Sequence, residues 1–434
     1  MAGGLILVIA AAVGCTSFPI LSGNAPTATS APSTQVQPSP SVPATADTGV
    51  PTATSEQRVI TLTVWIPDTF NGQDAETEFL ALQSIGDEFQ AEHENLRIRY
   101  ARKAVRGPAG LVSFLRSARE VAPSILPDLV VLPTDQVQAG IQNGLLYPLD
   151  NTLSPEIVQD MYGFATTSVV NGKLLAVGLA VDIEHLAFDP AVVDRAPSTW
   201  QDILEQDGSF LFPAAGEDGQ LNDATMIQYL AAGGQLINAT GEASLNKDSL
   251  TQVFNFYAHA LAQGVVPSST LQIGTSDEAW KAYLTGGAAM TTVGSRRFLQ
   301  DGLRRETTSF SALPTLDGRA VTLARGWSIG LVTDDSERRE AASQYLARLL
   351  NPGILGQWCQ QLGHLPATRS ALTLAVPDDE YGAFLNEQLE AAGIRPSSAA
   401  AVEASTAVQR ALQDLLQRKL APAAAVEEAL NSLG

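Results

Sequence analysis

The stretch from Leu126 to Pro133, LPDLVVLP, is a continuous apolar run bounded by prolines. Because its side chains do not alternate between apolar and polar, the pattern indicates a strand of a parallel sheet that is buried on both faces. Two earlier strands are predicted, at Val59–Trp65 (VITLTVW) and Leu96–Tyr100 (LRIRY). Between these two strands, apolar residues recur at helical spacing, at Phe79, Leu82, Ile85 and Phe89. This alternation predicts a doubly wound α/β lobe.

The second half of the chain is predicted to be rich in helix. Three groups of apolar residues follow helical spacing, namely Leu250, Val253, Phe254, Tyr257 and Leu261, then Ala342, Tyr345, Leu346 and Leu349, then Val408, Leu412 and Leu415. In doubly wound sheets, ligands bind beyond the carboxyl ends of the strands. Loops are expected to start at Ile66, Thr134 and Gly178, and these are the first places to look for a site.

Length and charge narrow the classes of function. The chain has 434 residues, which at about 100 to 200 residues per domain predicts two folded units. Lys and Arg total 26 against 46 Asp and Glu, a formal net charge of −20. This charge repels a nucleic-acid backbone or an anionic membrane surface, so neither is expected as a partner. Cys359 is expected to be a small buried hydrophobe rather than a nucleophile.

The first 57 residues are expected to lie outside the folded part. Residues 1–15, MAGGLILVIAAAVGC, have the short apolar run and final cysteine of a secretory signal, and they resemble a bacterial lipoprotein signal that is lipidated at Cys15. An uncleaved anchor is the alternative, because residues 2–29 carry no charge. Residues 16–57 are rich in Thr, Ser, Pro and Ala, which predicts a linker. Both alternatives tether the protein outside the cytoplasm.

The stretch from Asn171 to Pro190, NGKLLAVGLAVDIEHLAFDP, places acids after an almost uncharged run. Leu174 to Val181 is only eight residues long, whereas a helix that crosses a bilayer needs about 20. A core strand that ends in a functional loop is the interpretation that the pattern favours. Asp182 and Glu184 are the acids at this point, and either one is also able to cap a turn.

Four motifs occur in order along the chain: VW followed by a loop and a helix, PDLVV with QNGLLYPLD, VNGKLLAVGLAVDIEHLAFDP with APSTWQDIL, and YLTGGAAM with GWSIGLV. Together they resemble the extracellular solute-binding proteins, family 1, of ABC importers, the group that includes maltose-binding protein. The resemblance runs from about Val59 to the C-terminus. It implies a two-lobed, periplasmic-binding-protein-like (type II) α/β fold whose doubly wound sheets are joined by a hinge.

The resemblance also implies a domain organisation. It assigns 58–180 to the N-terminal lobe and 181–313 to the C-terminal lobe. Residues 314–434 would return to the N-terminal lobe and end in C-terminal helices.

Six ligand-binding residues follow from matching the family motifs position by position: Trp65, Asp68, Asp135, Asp182, Arg296 and Trp327. Asp182 would lie on the first hinge strand and face the cleft, where a carboxylate accepts paired hydrogen bonds from hydroxyls or amines. Trp327 falls where the chain returns to the N-terminal lobe, and its position leaves cleft and core equally open. His185 is expected to be structural.

The family's sugar binders stack aromatic rings on the ligand, but the three matching positions hold Leu132, Val177 and Arg296. A maltodextrin-like groove is therefore not expected. Arg296 favours an anionic ligand, such as an acidic sugar or a phosphorylated polyol, because guanidinium binds carboxylate or phosphate through two hydrogen bonds. Pairing of Arg296 with Asp68 or Asp135 is the alternative.

The resemblance implies capture of a small polar solute by lobe closure and delivery to the permease subunits of an ABC importer. The protein would be a monomer without a cofactor or catalytic residues, held at the outer face of the cell membrane through lipidated Cys15. A surface receptor or scaffold without a transport role has the same features, and a secreted hydrolase is a further alternative. Ferric-ion capture is disfavoured, since no clustered tyrosines or histidines are evident.

Overall fold

The structure is a computed structural model, and it describes residues 58–70, 75–302 and 307–433. Residues 57–434 form one compact unit. The predicted signal segment 1–15, its Cys15, and the predicted linker 16–57 lie outside the described residues. Within the described ranges, no helix combines the length and the apolar character needed to cross a membrane.

The described strands are β1 (Ile60–Pro67), β2 (Leu96–Lys103), β3 (Leu129–Pro133), β4 (Val169–Val170), β5 (Lys173–Leu174), β6 (Ala176–Phe188), β7 (Phe210–Leu211), β8 (Met290–Gly294), β9 (Ser309–Ser311), β10 (Thr322–Leu331), β11 (Leu365–Pro366) and β12 (Ala392–Ile394). The helices are α1 (Ala75–Glu92), α2 (Leu111–Val121), α3 (Thr134–Gln142), α4 (Pro155–Asp160), α5 (Trp200–Leu204), α6 (Asp223–Ala231), α7 (Lys247–Gln263), α8 (Ser276–Leu284), α9 (Ser295–Arg297), α10 (Ser336–Leu349), α11 (Pro352–Leu362), α12 (Arg369–Ala375), α13 (Glu380–Ala391), α14 (Ala399–Leu416) and α15 (Pro422–Asn431).

The first sheet confirms the predicted doubly wound lobe. Strands β2, β1 and β3 are parallel neighbours in that order, and β10 pairs antiparallel with β3. All of β3 is buried, as its continuous apolar run predicts. The strand begins at Leu129, later than predicted, because Pro127 has no N–H to donate to the ladder. Asp128, just before the strand, accepts the Thr63 N–H through Oδ2 at 2.7 Å and pairs with Arg338 at 3.0 Å.

Strand β6 belongs to two parts of the sheet. Up to Ile183 it pairs with β10, and from Glu184 it pairs with β8. The expectation of a loop starting at Gly178 is wrong, because this residue lies inside β6 and pairs with Ser328. A Cβ at Gly178 would lie 2.9 Å from the Ala165 Cβ, so the glycine permits close packing rather than a turn.

Two hydrophobic cores lie on either side of the point where β6 changes its pairing from β10 to β8. We call the first lobe the part packed around β1, β3 and the first half of β6, and the second lobe the part packed around α6, α7, α14 and α15. The predicted helical stripes lie on α7, α10 and α14 and are buried, except that Leu261 is only partly buried. Cys359 is fully buried, as predicted, and burial raises the pKa of its thiol. The fold is two-lobed and mixed α/β.

Candidate functional site: the cleft between the lobes

Two adjoining cavities lie where β6 and β10 run between the lobes. The polar cavity, of about 120 Å³, is lined by charged and amide side chains that include Glu184, Asp223 and Glu217. The aromatic cavity, of about 220 Å³, is lined by Phe70, Trp327, Asp182 and His364 among others. Four side chains line both cavities, namely Arg106, Asp135, Arg325 and Arg395. The two cavities therefore form one cleft.

A buried ion-pair triad organises the polar cavity. Asp223 lies in the first turn of α6, behind the N-cap Asn222, and is only 4% exposed. Its Oδ2 accepts from Arg325 Nη1 at 2.9 Å, and its Oδ1 pairs with Arg395 Nη1. Burial alone would raise the pKa of Asp223, but the two guanidiniums outweigh it and hold this pKa below its ordinary value. Asp223 is therefore ionised and fixed between two cations.

Arg395 is anchored, whereas Arg325 faces the open cleft. Arg395 Nη2 also donates to the Leu221 carbonyl at 2.7 Å and to Ser405 Oγ at 3.1 Å. The Arg325 side chain is 50% exposed. Its remaining N–H groups lie beside Glu217, whose Oε2 is 3.9 Å from Nη2. Arg325 thus presents donors to both cavities while one edge of its guanidinium holds Asp223.

Glu184 lies near Asp223 in the polar cavity, but its carboxyl group has the opposite pKa shift. Burial, and next the nearby Asp223 carboxylate, raise the pKa of Glu184 to about 7, against the effect of the Thr292 and Ser276 hydroxyls and Arg325. The Glu184 Oε1 atom is buried and makes no hydrogen bond with the described residues. Beside the ionised Asp223, the polar cavity thus contains a carboxyl group that is half protonated near neutral pH.

The first lobe contributes a second ion pair to the cleft. Arg106 Nη2 lies 2.6 Å from Asp135 Oδ2, and Asp135 occupies the first turn of α3. The Arg106 side chain is half exposed and the Asp135 side chain is partly buried. Since both residues line both cavities, this pair faces the Asp223 triad across the cleft.

The aromatic cavity is built on β10. Arg325 and Trp327 point to the same face of this strand because side chains alternate along it, and they pair with Asp182 and Ala180 of β6. The Trp327 indole N–H donates to the Phe70 carbonyl at 3.1 Å, and the two rings meet edge to face at 5.3 Å. A Cβ at Gly326 would lie 2.2 Å from the Ala180 carbonyl oxygen, so this glycine lets the two strand backbones approach.

His364 closes the aromatic cavity beside Asp182. The side chain is 6% exposed, and neither ring nitrogen reaches hydrogen-bonding geometry with a described residue. Burial lowers the pKa of His364, while the Asp182 carboxylate and the nearby Val181 carbonyl act against this shift. The ring is therefore neutral at pH 7.

Asp182 lines the aromatic cavity and also fixes the start of α9. Its Oδ1 accepts from Ser295 Oγ at 2.5 Å and from the Arg296 N–H at 3.0 Å. The carboxylate therefore joins β6 to α9 at the point where β6 changes partners. One role visible in the structure is the anchoring of this junction.

Arg296 lines neither cavity. Its Nη2 lies 3.2 Å from Asp277 Oδ2, and the side chain is 11% exposed. Neither Asp68 nor Asp135 is the partner in this ion pair, so the predicted alternatives for its pairing are corrected. His185 is fully buried, as predicted, with Nε2 2.9 Å from the Tyr381 hydroxyl.

Of the six predicted ligand-binding residues, the structure brings Asp135, Asp182 and Trp327 to the cleft. Trp65, Asp68 and Arg296 line neither cavity. Trp65 stacks on Phe114 at 5.0 Å in a separate core cluster, because its neighbours on β1 face the main core. Asp68 is exposed beyond β1. A ligand contact for each of the six stays a prediction.

Several cleft residues were not predicted from the sequence: Arg106, Glu184, Asp223, Arg325, His364 and Arg395. Two of them carried a usable signal. Glu184 lies two residues after Asp182 on the same face of a strand, and Arg325 lies two residues before Trp327. The others reach the cleft from positions distant in sequence.

Gly326–Gly330 reads GWSIG, the G-x-S-x-G spacing of a hydrolase nucleophile elbow. Such an elbow places its serine on a sharp turn between a strand and a helix. Ser328 instead lies inside β10, paired with both Leu132 and Gly178, and is 7% exposed. The motif therefore encodes a central strand. In addition, no group of three or more His, Cys, Asp or Glu among the described residues is placed to hold a metal ion.

Comparisons with known proteins place this architecture in a family. Residues 84–383 match the family model described as bacterial extracellular solute-binding protein. No curated protein matches the chain.

Solved structures with the same fold include a cyclic alpha-maltosyl-1,6-maltose binding protein from Arthrobacter globiformis, at 18% identity and a TM-score of 0.69 over 86% of this chain and 98% of that one. A sugar-binding protein from Xanthomonas citri matches at 15% identity and a TM-score of 0.66, covering 86% and 96%. An ABC transporter solute-binding protein from Thermotoga lettingae, bound with α-D-tagatose, matches at 18% identity and a TM-score of 0.65, covering 86% and 100%. The family predicted from the four motifs is confirmed, and the chain belongs to the bacterial extracellular solute-binding proteins.

Proposed function

We propose that this protein is the extracytoplasmic solute-binding component of an ABC importer, tethered to the membrane through Cys15. In this role it captures a small polar solute by lobe closure and delivers it to a permease. The observation that carries the proposal is the cleft, where the Arg106–Asp135 pair of the first lobe faces Asp223 of the second lobe, and where Arg325 and Arg395, on segments that join the lobes, hold the Asp223 carboxylate. Membership of the solute-binding family supports it.

The cleft favours a carbohydrate or a related polyol. Hydroxyl groups both donate and accept, so they are suited to a site that alternates arginines with carboxyl groups. Trp327 and Phe70 add an apolar wall of the kind that packs against a sugar ring. Solved proteins with this fold are bound with maltose, mannotriose or α-D-tagatose, which is consistent with the proposal.

The main argument for an anionic solute does not hold. The argument for it depended on Arg296, and this side chain pairs with Asp277 outside the cavities. The polar cavity is lined by three arginines and by five carboxyl groups, and this excess of acids disfavours an anion. An acidic sugar or phosphorylated polyol is therefore the second choice.

Closure requires segments that join the lobes and bend. Strands β6 and β10 pass between the lobes, and the chain passes again between β12 and α14. A ligand that contacts Arg106 and Asp135 on one side and Thr275 or Gln220 on the other gains its full set of contacts only in the closed form. No covalent step is needed for this mechanism.

A thermal-shift screen of the 57–434 unit tests the proposal. Maltose, mannotriose and D-tagatose represent uncharged sugars, and D-glucuronate, D-glucose 6-phosphate and D-glucosamine represent charged ones. A ligand at about 1,000 times its dissociation constant adds about 4 kcal/mol to the free energy of unfolding, so a shift of several degrees is expected for at least one uncharged sugar. No shift with any of the six would contradict sugar capture and would favour a receptor or scaffold role.

A further inference from the structure

Two polar side chains in the cleft lack hydrogen-bond partners among the described residues. They are Glu184, through its buried Oε1, and His364, through both ring nitrogens. Buried polar groups in folded proteins are almost always hydrogen-bonded, because an unsatisfied buried donor or acceptor costs about 1–3 kcal/mol. Each of the two side chains lines one of the two cavities. Both are therefore placed to form hydrogen bonds with a ligand.

Glu184 is set up to carry a proton. The groups that face it are Asp223 on α6, Arg325 on β10, Thr292 on β8 and Ser276 on α8. Asp223 is already ionised and shared by Arg325 and Arg395, so its carboxylate opposes a second negative charge at Glu184. A protonated carboxyl group both donates and accepts a hydrogen bond, and these are the functions that a ligand hydroxyl complements.

His364 is set up to stay neutral. The groups that face it are Asp182 on β6, Arg296 on α9 and Glu78 on α1, together with the Val181 carbonyl. Arg296 and burial disfavour the imidazolium, and Asp182 already uses one oxygen to accept from Ser295 and Arg296. A neutral imidazole offers one donor and one acceptor, which is again the pattern of a hydroxyl partner.

The positions of Glu184 and His364 set the length that a ligand needs to contact both side chains. Glu184 and Asp182 are two residues apart on β6, so their side chains point to the same face and are separated by about 7 Å along the strand. His364 directly precedes Leu365, which pairs with Val181, so it lies beside Asp182. Arg325, which pairs with Asp182 from the other side, lines the cleft between the two positions.

We propose that the ligand is an uncharged polyhydroxyl compound long enough to reach from Glu184 to His364, and that it supplies the hydrogen bonds which these two side chains lack. This inference depends on the proposed capture function and assigns its ligand class and two selecting residues. Arg325 and the apolar wall formed by Trp327 and Phe70 contact the middle of the ligand. An anion would meet Asp223 and Glu184, and a cation would meet Arg325 and Arg395.

A consequence is that capture is coupled to protonation of Glu184. Affinity for an uncharged sugar should be highest when Glu184 is protonated and should fall as pH rises through about 7. If only the protonated form binds, the dissociation constant rises about tenfold between pH 6 and pH 8. Glu184→Gln keeps an uncharged donor and acceptor at this position, so its dissociation constant should change less than about twofold over the same range.

The experiment is isothermal titration calorimetry of the 57–434 unit with maltose, mannotriose and D-tagatose, and with D-glucuronate, D-glucose 6-phosphate and D-glucosamine, at pH 6 and pH 8. The variants are Glu184→Gln and His364→Ala. Matched controls are Glu120→Gln and His259→Ala, which replace exposed residues on α2 and α7. In parallel, NMR titration of the Glu184 side-chain carboxyl carbon in the protein without sugar measures its protonation directly.

The inference expects three results: binding of an uncharged sugar with the tenfold pH effect, loss of that effect in Glu184→Gln, and at least tenfold weaker binding in His364→Ala. Both controls should match the wild type. Binding confined to a charged sugar would overturn the inference and leave solute capture intact. Ionisation of Glu184 below pH 5, or an unchanged pH effect in Glu184→Gln, would also overturn it. If none of the six sugars binds, the inference fails together with the proposed sugar capture.

Discussion

The polar and aromatic cavities share four side chains but are stabilised by different physics. In the polar cavity, the buried Asp223 carboxylate lies between Arg325 and Arg395, and ion pairs hold the side chains in place. In the aromatic cavity, Trp327 packs on Phe70 and donates to its carbonyl, and this ring packing holds the side chains in place. The difference teaches that one end of the cleft suits a hydroxyl-rich group and the other suits the face of a ring. Four substitutions test this contrast.

The largest expected effect is the loss of Asp223. In Asp223→Ala, Arg325 and Arg395 lose their shared carboxylate, and Arg395 remains buried. Removing one partner of a buried ion pair costs about 3–5 kcal/mol, because an uncompensated charge stays behind. Urea unfolding of the 57–434 unit measures this loss. A cost below about 1 kcal/mol would show that the triad does not organise the polar cavity.

The pH dependence of stability gives the next effect. The pKa of Glu184 in the folded protein, about 7, lies above its ordinary value of 4.5. Its contribution to stability is therefore full below about pH 4.5 and is lost as pH rises to about 7. Glu184→Gln should be more stable than the wild type at pH 8 by on the order of 2 kcal/mol, relative to their difference at pH 4.5. Paired thermal melts at the two pH values measure it, and a parallel response of both proteins would refute the shift.

A smaller effect is expected in the aromatic cavity. Trp327→Phe keeps an aromatic ring but loses the hydrogen bond from the indole N–H to the Phe70 carbonyl. A buried hydrogen bond contributes about 0.5–1.5 kcal/mol, so a loss of about 1 kcal/mol in urea unfolding is predicted. Trp200→Phe is the control for sugar binding, because Trp200 is buried in the core of the second lobe and lines neither cavity. Equal weakening of sugar binding by both substitutions would argue against the aromatic cavity as the site.

The smallest effect on stability is expected for the Arg106–Asp135 pair. The Arg106 side chain is half exposed, and exposed ion pairs contribute about 0–1 kcal/mol. Arg106→Ala should therefore change the melting temperature little and should weaken sugar binding, since Arg106 lines both cavities. Calorimetry and thermal melts of the same variant separate the two effects. A large loss of stability with unchanged binding would assign this arginine to the fold.

Much of the fold could be predicted from the sequence, because it depends on local periodicity. The apolar run ending at Pro133 and the stripe on α7 each report burial within a few residues. Strand β6 was harder to predict, since the loop expected at Gly178 is in fact the interior of a strand that packs against Ala165. Residues that do not alternate in polarity give no sign of where a strand changes partners.

The candidate site was less predictable because it joins distant parts of the chain. Asp223, Arg325 and Arg395 form one triad although each belongs to a different element, α6, β10 and the segment after β12. Their contact arises from the packing of the lobes and has no local pattern. Arg296 shows the opposite case, in which a motif position was matched but the side chain pairs with Asp277 and lines neither cavity.

The most direct test of the central claim is hydrogen–deuterium exchange of the 57–434 unit with and without a sugar that binds. The account predicts slower exchange in β6, in β10 and in the segment from β12 to α14, together with the first turns of α3 and α6. Protection confined to surface loops away from the cleft, or no change at saturating sugar, would contradict the assignment of this cleft as the solute-binding site.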